Sequence, residues 1–398
     1  MVDPATVATL AVAAVASLFM AWAIGAGSSG STPFAPAVGA NAISVMRAGF
    51  IVGILGLLGA ILQGANVTEA VGGDLVVFPA GGGLSAIAAI IALVTAAVLV
   101  AIGIFAGYPI ATAFTVTGAV VGAGLAMGGE PAIGTYTGIV TLWLLVPVVG
   151  GTISYVTARI LRNESIEERR VVPVLAGVVG AILANVRFAL LGAAGESASV
   201  AEVAIDELGT APIATRVAVT LAVATVAALL LYRDVRRDEA AGQRHFLLVL
   251  GGLVAFSAGG SQVGLAVGPL LPLLGPDTGV VVPIIGVLVF GGLGLLVGSW
   301  TGAPRMIKAL AQDYSSLGPR RSIAALIPSF AIAQTAVFFG IPVSFNEIIV
   351  SGIVGSGAAA GGGEVSGRKM GLTVLAWIAS LVGAFLITYG TYAAVTAL

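Results

Sequence analysis

The chain has 398 residues, of which 58% are hydrophobic and only 9% are charged, and its mean hydropathy is +1.11. These values exclude a soluble globular domain and predict an all-α polytopic membrane protein. The net charge of −1, the lack of cysteine and the single histidine give no indication of a nucleic-acid partner, a disulfide or a metal cofactor.

Apolar runs of about 20 residues predict about 12 membrane segments. They fall at 5–24 (continuing through a polar interruption to 45), 48–64, 84–105, 107–129, 133–158, 171–191, 211–232, 245–273, 279–300, 321–339, 341–366 and 370–397. The segments at 107–129 and 341–366 have an alternative interpretation as re-entrant hairpins. An even number of crossings places both termini on the same side of the membrane, and the charge distribution described next places that side outside the cell.

Basic residues predict the orientation of these segments, because cytoplasmic loops are enriched in lysine and arginine. Loops with acids but no bases, around Glu69 and around Glu196, are therefore placed outside. Four basic clusters are placed inside: Arg159, Arg162, Arg169 and Arg170; Arg233, Arg236, Arg237 and Arg244; Arg305, Lys308, Arg320 and Arg321; Arg368 and Lys369.

Two landmarks indicate that the chain is duplicated. Polar, glycine-rich stretches interrupt the apolar sequence at 25–39 and 256–270, and a Gly-x-Pro motif begins at both Gly107 and Gly340. Gly27-Ser28 and Gly260-Ser261 within the two stretches are 233 residues apart, and so are the two Gly-x-Pro motifs. Together with the orientation, this predicts two inverted-topology repeats with broken helices, at 1–160 and 245–398, joined by linking spans at 161–244. Such repeats point to a secondary transporter whose site lies between them.

The interrupted segments supply neutral hydrogen-bonding groups. Broken helices expose backbone N–H groups, and a helix N-terminus attracts anions without any basic side chain. A tetrahedral oxyanion is therefore the predicted ligand, although small polar residues are also common at helix interfaces in membranes. The candidate binding residues are Ser28, Ser29, Thr32, Thr112, Ser261, Gln262, Ser344 and Asn346.

Glu347 is an acid inside a long uncharged run. An ionisable group at such a depth costs about 2.5–3.5 kcal/mol on insertion scales and is a functional hypothesis by default. We predict that Glu347 couples transport to H⁺ or Na⁺, the alternative being a buried glutamate with no transport role. The four tryptophans, by contrast, are assigned to interfacial anchoring or packing.

The motifs AGSSGSTP from Ala26, GGSQVGLA from Gly259, GYPIATAF from Gly107 and GIPVSFNE from Gly340 resemble those of the inorganic phosphate transporter (PiT) family. Where that family's motif has aspartate, this chain has Ser29 and Gln262. The family's aspartates are implicated in cation coupling, so their replacement makes Na⁺ dependence an open question. A branch that resembles sulfate permeases also lacks them and has a glutamate where Glu347 stands.

The resemblance implies a secondary active transporter of inorganic phosphate, coupled to H⁺ or Na⁺, that works by alternating access. The alternatives are a sulfate permease of the same family and a passive anion channel. An enzyme is not expected, because no nucleophile and base are arranged for catalysis. The remaining expectations are a multi-pass protein of the plasma membrane, a lipid bilayer around it and a homodimer.

Overall fold

The computed structural model describes residues 3–79, 81–192, 196–209, 211–275, 279–359 and 365–397. Over these residues the chain is almost wholly helical, and nine of the helices found there are long and apolar enough to cross a membrane. The predicted span 341–366 includes residues 360–364, which lie outside the described part.

The first half begins with a helix that ends in a π-helical turn and closes with a long helix rich in apolar residues. Its elements are α1 (Pro4–Ile24), the π turn (Gly25–Ser29), α2 (Ala35–Gly39), α3 (Val45–Gln63), α4 (Ala65–Gly73), α5 (Ala86–Ala106), α6 (Thr112–Ala126) and α7 (Ile133–Leu161).

Three helices link the halves: α8 (Glu168–Asn185), α9 (Val200–Leu208) and α10 (Pro212–Arg237). Two antiparallel pairs of two-residue strands join loops, β1 (Val76–Val77) with β2 (Glu130–Pro131), and β3 (Arg187–Phe188) with β4 (Ala198–Ser199).

The second half begins with a long helix that ends in a 3₁₀ turn. Its elements are α11 (Glu239–Val267), a 3₁₀ turn (Gly268–Leu273), α12 (Ile284–Thr301), α13 (Ala303–Gln312), α14 (Pro319–Phe339), α15 (Phe345–Ala358) and α16 (Gly367–Thr396).

The helix bounds carry the 233-residue offset seen in the motifs. Both ends of α14 follow the ends of α5 by 233 residues, and α15 begins 233 residues after α6. Each of α5 and α14 ends at a glycine in the left-handed conformation, Gly107 with φ 74° and Gly340 with φ 65°, which glycine adopts without the steric cost of a Cβ. The shared offset thus extends from motifs to whole elements.

The corresponding helices α1 and α11 run antiparallel where they meet. Ser17 Oγ of α1 donates to the carbonyl of Ala266 at 2.8 Å, whereas Ser28 Oγ, in the π turn that follows α1, donates to Gln262 Oε1 at 2.9 Å. As the residue number rises from 17 to 28 in the first half, the number of its partner falls from 266 to 262, so the two segments run in opposite directions. An inverted repeat predicts this arrangement. The orientation of the halves across a bilayer stays a prediction.

Small residues let helices of opposite halves approach closely. A Cβ added at Gly259 on α11 would collide with the backbone of Gly56 on α3. Likewise, Gly355 on α15 lies against the Gly151 carbonyl on α7, and Gly122 on α6 lies against the Phe385 carbonyl on α16. Close backbone contact of this kind is how membrane helices associate.

Gly259→Ala is expected to destabilise the protein by roughly 1–3 kcal/mol, the range for overpacking a tight contact, because the added methyl meets backbone that cannot move aside. The matched control is Gly383→Ala on α16, where nothing lies within 4 Å of an added Cβ. Thermal unfolding of both variants in detergent tests this; equal melting temperatures would contradict it.

The second predicted interruption is wrong. α11 continues as a regular helix through Gly260 and Ser261 to Val267, and only then tightens into the 3₁₀ turn. The glycines there allow close contact with α3 and do not break the helix.

The Gly-x-Pro segments also differ from the predicted spans. The two helices begin only at residues 112 and 345. The 15 residues of α6 span about 22 Å, less than the ~30 Å hydrocarbon core.

Outside the membrane-spanning segments, Glu202 on α9 joins several charged and polar groups. It forms ion pairs with Arg187 at 2.6 Å and Arg216 at 3.3 Å, and it completes a capping box with Ser199. The hydrogen bonds from Arg187 contribute most to lowering the pKa of Glu202 to about 2. The cluster ties the loop between α8 and α9 to the first turns of α10.

Because its pKa is depressed in the folded state, Glu202 stabilises the fold fully above its ordinary pKa near 4.5, and this contribution is lost as pH falls toward 2. The melting temperature of Glu202→Gln is therefore expected to lie below that of the parent at pH 7, with the gap closing on acidification below pH 4.5. Glu207→Gln, on the exposed face of α9, is the control. A gap that is constant down to pH 2.5 would contradict this role.

Candidate substrate-binding site

Gln262 on α11 joins three segments at the centre of the protein. Its side-chain oxygen accepts hydrogen bonds from Ser28 Oγ of the π turn at 2.9 Å and from Thr112 Oγ1 of α6 at 2.8 Å. Its amide nitrogen donates to the carbonyl of Val343 at 2.5 Å. Ser28, Thr112 and Gln262 are fully buried, so the site is closed to solvent on both sides.

Two helix N-termini begin beside this hub. The extended residues before α6 and α15 end at Ala111 and Ser344, and neither helix start has a side-chain cap. The first N–H groups of a helix have no partner within the helix and carry a partial positive charge. The two starts thus supply backbone donors suited to an anion.

Several buried polar atoms of α11 and of the start of α15 have no hydrogen-bond partner among the described residues: Ser261 Oγ on α11, and Ser344 Oγ, Asn346 Oδ1 and Glu347 Oε2 at the start of α15. Buried polar groups are nearly always paired, so each unpaired one requires an explanation. The amide nitrogen of Asn346, in contrast, donates to the carbonyls of Gly27 and Ile110 at 2.9 and 2.6 Å. Asn346 therefore ties α15 to the π turn and to the first Gly-x-Pro segment, while its oxygen stays available.

Four of the eight predicted binding residues are brought together. Ser28, Thr112 and Gln262 are hydrogen-bonded, and Asn346 holds the backbone on either side of them. Thr32 is not part of this network, because its hydroxyl donates to the Ser28 carbonyl within its own turn. Ser29 lies buried in the π turn. Their roles in binding stay predictions.

Sequence reasoning missed two aromatic residues at this site. Trp143 and Trp377 were assigned to anchoring or packing, but both are buried and donate to the carbonyls of the Gly-x-Pro prolines. A signal was present in the sequence: the two tryptophans are 234 residues apart, one residue more than the repeat offset.

A large cavity lies beside the site rather than in it. It has a volume of about 1110 Å³ and is lined by residues of α3, α8, α12 and α14. Gln63 and Gln334, hydrogen-bonded to each other at 3.2 Å, lie in its wall. Gly260 of α11 packs against Gln63, so the wall of this cavity contacts the segment of α11 that carries Ser261 and Gln262.

The sequence model of the Phosphate transporter family matches residues 24–388. The chain belongs to the phosphate transporter family. The expected family membership is thereby confirmed, and the chain is a transporter rather than an enzyme.

Similar proteins extend over nearly the whole length of this family member. A Thermococcus kodakarensis protein described as a phosphate permease is 25% identical over 92% of this chain and 93% of its own. The inorganic phosphate transporter 2-1, chloroplastic, of Arabidopsis thaliana is 24% identical over 89% of this chain and 67% of its own.

A solved structure with the same fold is that of a sodium-dependent phosphate transporter. It covers 98% of this chain and 100% of its own with a TM-score of 0.81 at 22% identity. This likeness, the helical content and the apolar spans confirm the prediction of an all-α polytopic membrane protein. The division into inverted repeats and the count of 12 segments stay predictions.

Proposed function

We propose that the chain is a secondary active transporter of inorganic phosphate. The observation that carries this is the meeting of two uncapped helix starts, α6 and α15, at a buried hub of neutral donors. The anion would lie between them, where backbone N–H groups and the hydroxyl of Ser344 can donate to its oxygens. The hydroxyls of Ser28 and Thr112 would donate to it only after leaving Gln262 Oε1. The phosphate specified by the names of the family and its relatives supports this substrate.

Glu347 is the proposed coupling group. It lies in the first turn of α15, is 2% exposed, and its Oε2 lacks a partner among the described residues. When protonated, the carboxyl can donate a hydrogen bond to the anion; when ionised, it would place a like charge beside it. The anion and a proton would therefore bind and leave together. Na⁺ is the alternative, since carboxylate and amide oxygens are hard ligands.

Alternating access would require two units that move against each other. The contacts pair α6 with α16 and α7 with α15, so each unit contains helices of both halves. Because the hub residues are fully buried, the proposed cycle passes through a closed state of this kind. A tilt of one unit would break the link between Thr112 and Gln262 and expose the site to one side.

The experiment that tests the substrate is a competition assay. Purified protein in detergent is loaded with labelled phosphate and titrated with unlabelled phosphate or sulfate at pH 6 and pH 8. Displacement by phosphate at much lower concentration than by sulfate is expected. Stronger displacement by sulfate would instead assign the chain to a sulfate permease, which the replacement of the family's aspartates by Ser29 and Gln262 favours.

A passive anion channel is the second candidate, favoured by the same missing carboxylates. Flux that runs only downhill in proteoliposomes, whatever cation gradient is imposed, would establish it. A plasma-membrane location and a homodimer remain proposals, which surface labelling of whole cells and mass measurement of the purified protein in detergent would test.

A further inference from the structure

Two buried tryptophans hold the Gly-x-Pro segments by their backbone. Trp143 Nε1 donates to the Pro342 carbonyl at 2.9 Å, and Trp377 Nε1 donates to the Pro109 carbonyl at 2.7 Å. Their exposed fractions are 7% and 4%. Indole is a donor only, so each ring makes its one hydrogen bond to a carbonyl two residues after a left-handed glycine.

The two hydrogen bonds cross between the halves. Trp143 lies on α7 of the first half and holds the segment that leads into α15 of the second, while Trp377 lies on α16 and holds the segment that leads into α6. Each segment is therefore fixed by the last helix of the opposite half. These hydrogen bonds between the halves match the packing of α7 on α15 and of α16 on α6.

Phe114 connects the two indoles. Its ring stacks on Trp143 with centroids 3.8 Å apart and meets Trp377 edge-on at 6.4 Å. Phe114 belongs to the first turn of α6, where the unpaired N–H groups of the proposed site begin. The three rings thus form one aromatic layer behind both helix starts, and this layer joins the unit that contains α6 to the unit that contains α7.

We propose that Trp143 and Trp377 are positioning residues for the bound anion, fixing the two Gly-x-Pro segments so that the N-termini of α6 and α15 face the same point. This rests on the proposed function. Residues 108–111 and 341–344 lie outside any helix. Besides the indoles, Asn346 donates to the Ile110 carbonyl and Gln262 to the Val343 carbonyl. Without the indole donors each segment would lose one of its hydrogen bonds, so that the binding of an anion would have to supply part of its order, and this would lower the affinity.

Trp143→Phe and Trp377→Phe keep an aromatic ring but remove the donor. Each is expected to raise the dissociation constant for labelled phosphate roughly 3- to 10-fold, the scale of losing one intramolecular hydrogen bond. The matched controls are Trp22→Phe and Trp300→Phe, which remove indole donors to Thr301 Oγ1 and to the Phe50 carbonyl, away from the site. Their dissociation constants should equal that of the parent.

A second measurement uses the parent sequence and does not depend on how Trp143→Phe and Trp377→Phe fold. Protein labelled with 5-fluorotryptophan gives four fluorine resonances, and the two control variants identify those of Trp22 and Trp300 by their loss. On addition of phosphate, only the other two are expected to shift, which a merely structural role would not produce.

The inference is overturned if the parent binds phosphate but neither the dissociation constants of the site variants nor the two site resonances change. If the parent shows no phosphate binding, the proposed function itself fails, and the positioning role fails with it. The two failures are thereby distinguished by the parent alone.

Discussion

Replacing Glu347 with glutamine is expected to abolish proton-driven accumulation of phosphate while leaving phosphate exchange intact. The glutamine amide can still donate to an anion beside the first turn of α15, but it cannot release a proton. With one proton per anion and the voltage held at zero, a gradient of one pH unit supports about tenfold accumulation. In Glu347→Gln the ratio should fall to that of protein-free liposomes.

The measurement is uptake of labelled phosphate by proteoliposomes with an acidic exterior, followed by exchange at equal pH on both sides. Glu130→Gln is the control, because Glu130 lies exposed in β2. Repeating the uptake with a sodium gradient at constant pH separates the two candidate ions. Equal accumulation by Glu347→Gln and the parent would remove Glu347 from the mechanism.

Gln262→Leu is expected to weaken phosphate binding by about 100-fold or more. Leucine preserves the volume of the side chain but leaves the Val343 carbonyl without its donor and the hydroxyls of Ser28 and Thr112 without their acceptor. Each buried group left unpaired costs about 1–3 kcal/mol, and the α6 and α15 segments lose the side chain that joins them.

The matched control is Gln243→Leu, the same change on the same helix. Gln243 pairs with Glu168 at 2.6 Å, near the start of α11 and more than five turns from Gln262. Both variants are compared by equilibrium binding of labelled phosphate and by thermal unfolding. The prediction fails if the two variants bind phosphate equally well, or if Gln262→Leu binds it as tightly as the parent.

The sequence supported the class of the protein and the centre of its site, because both depend on local composition. The polar stretch around Ser28 and the two Gly-x-Pro motifs stand out from apolar surroundings, and Thr112 and Gln262 are indeed hydrogen-bonded through Ser28 and to each other. The repeat offset was visible for the same reason, since glycines and prolines mark the ends of helices wherever they occur.

Features that depend on which helix lies opposite could not be predicted in the same way. The glycines of α11 were interpreted as a break, because composition alone does not distinguish an interruption from a close contact, and only the backbone of Gly56 settles it. Trp143 and Trp377 were overlooked because their acceptors lie 199 and 268 residues away. Nothing in the sequence near either tryptophan indicates which backbone carbonyl accepts its hydrogen bond.

The crossed hydrogen bonds also set an order for biosynthesis. Pro109 is translated 268 residues before Trp377, which at about 5–20 residues per second amounts to roughly 13–54 s. During that interval the first Gly-x-Pro segment is in the membrane without its indole donor, and the small-residue face of α6 lacks α16. A chain truncated before α16 would therefore leave the Pro109 carbonyl without its indole donor and the glycines of α6 without the helix that packs on them.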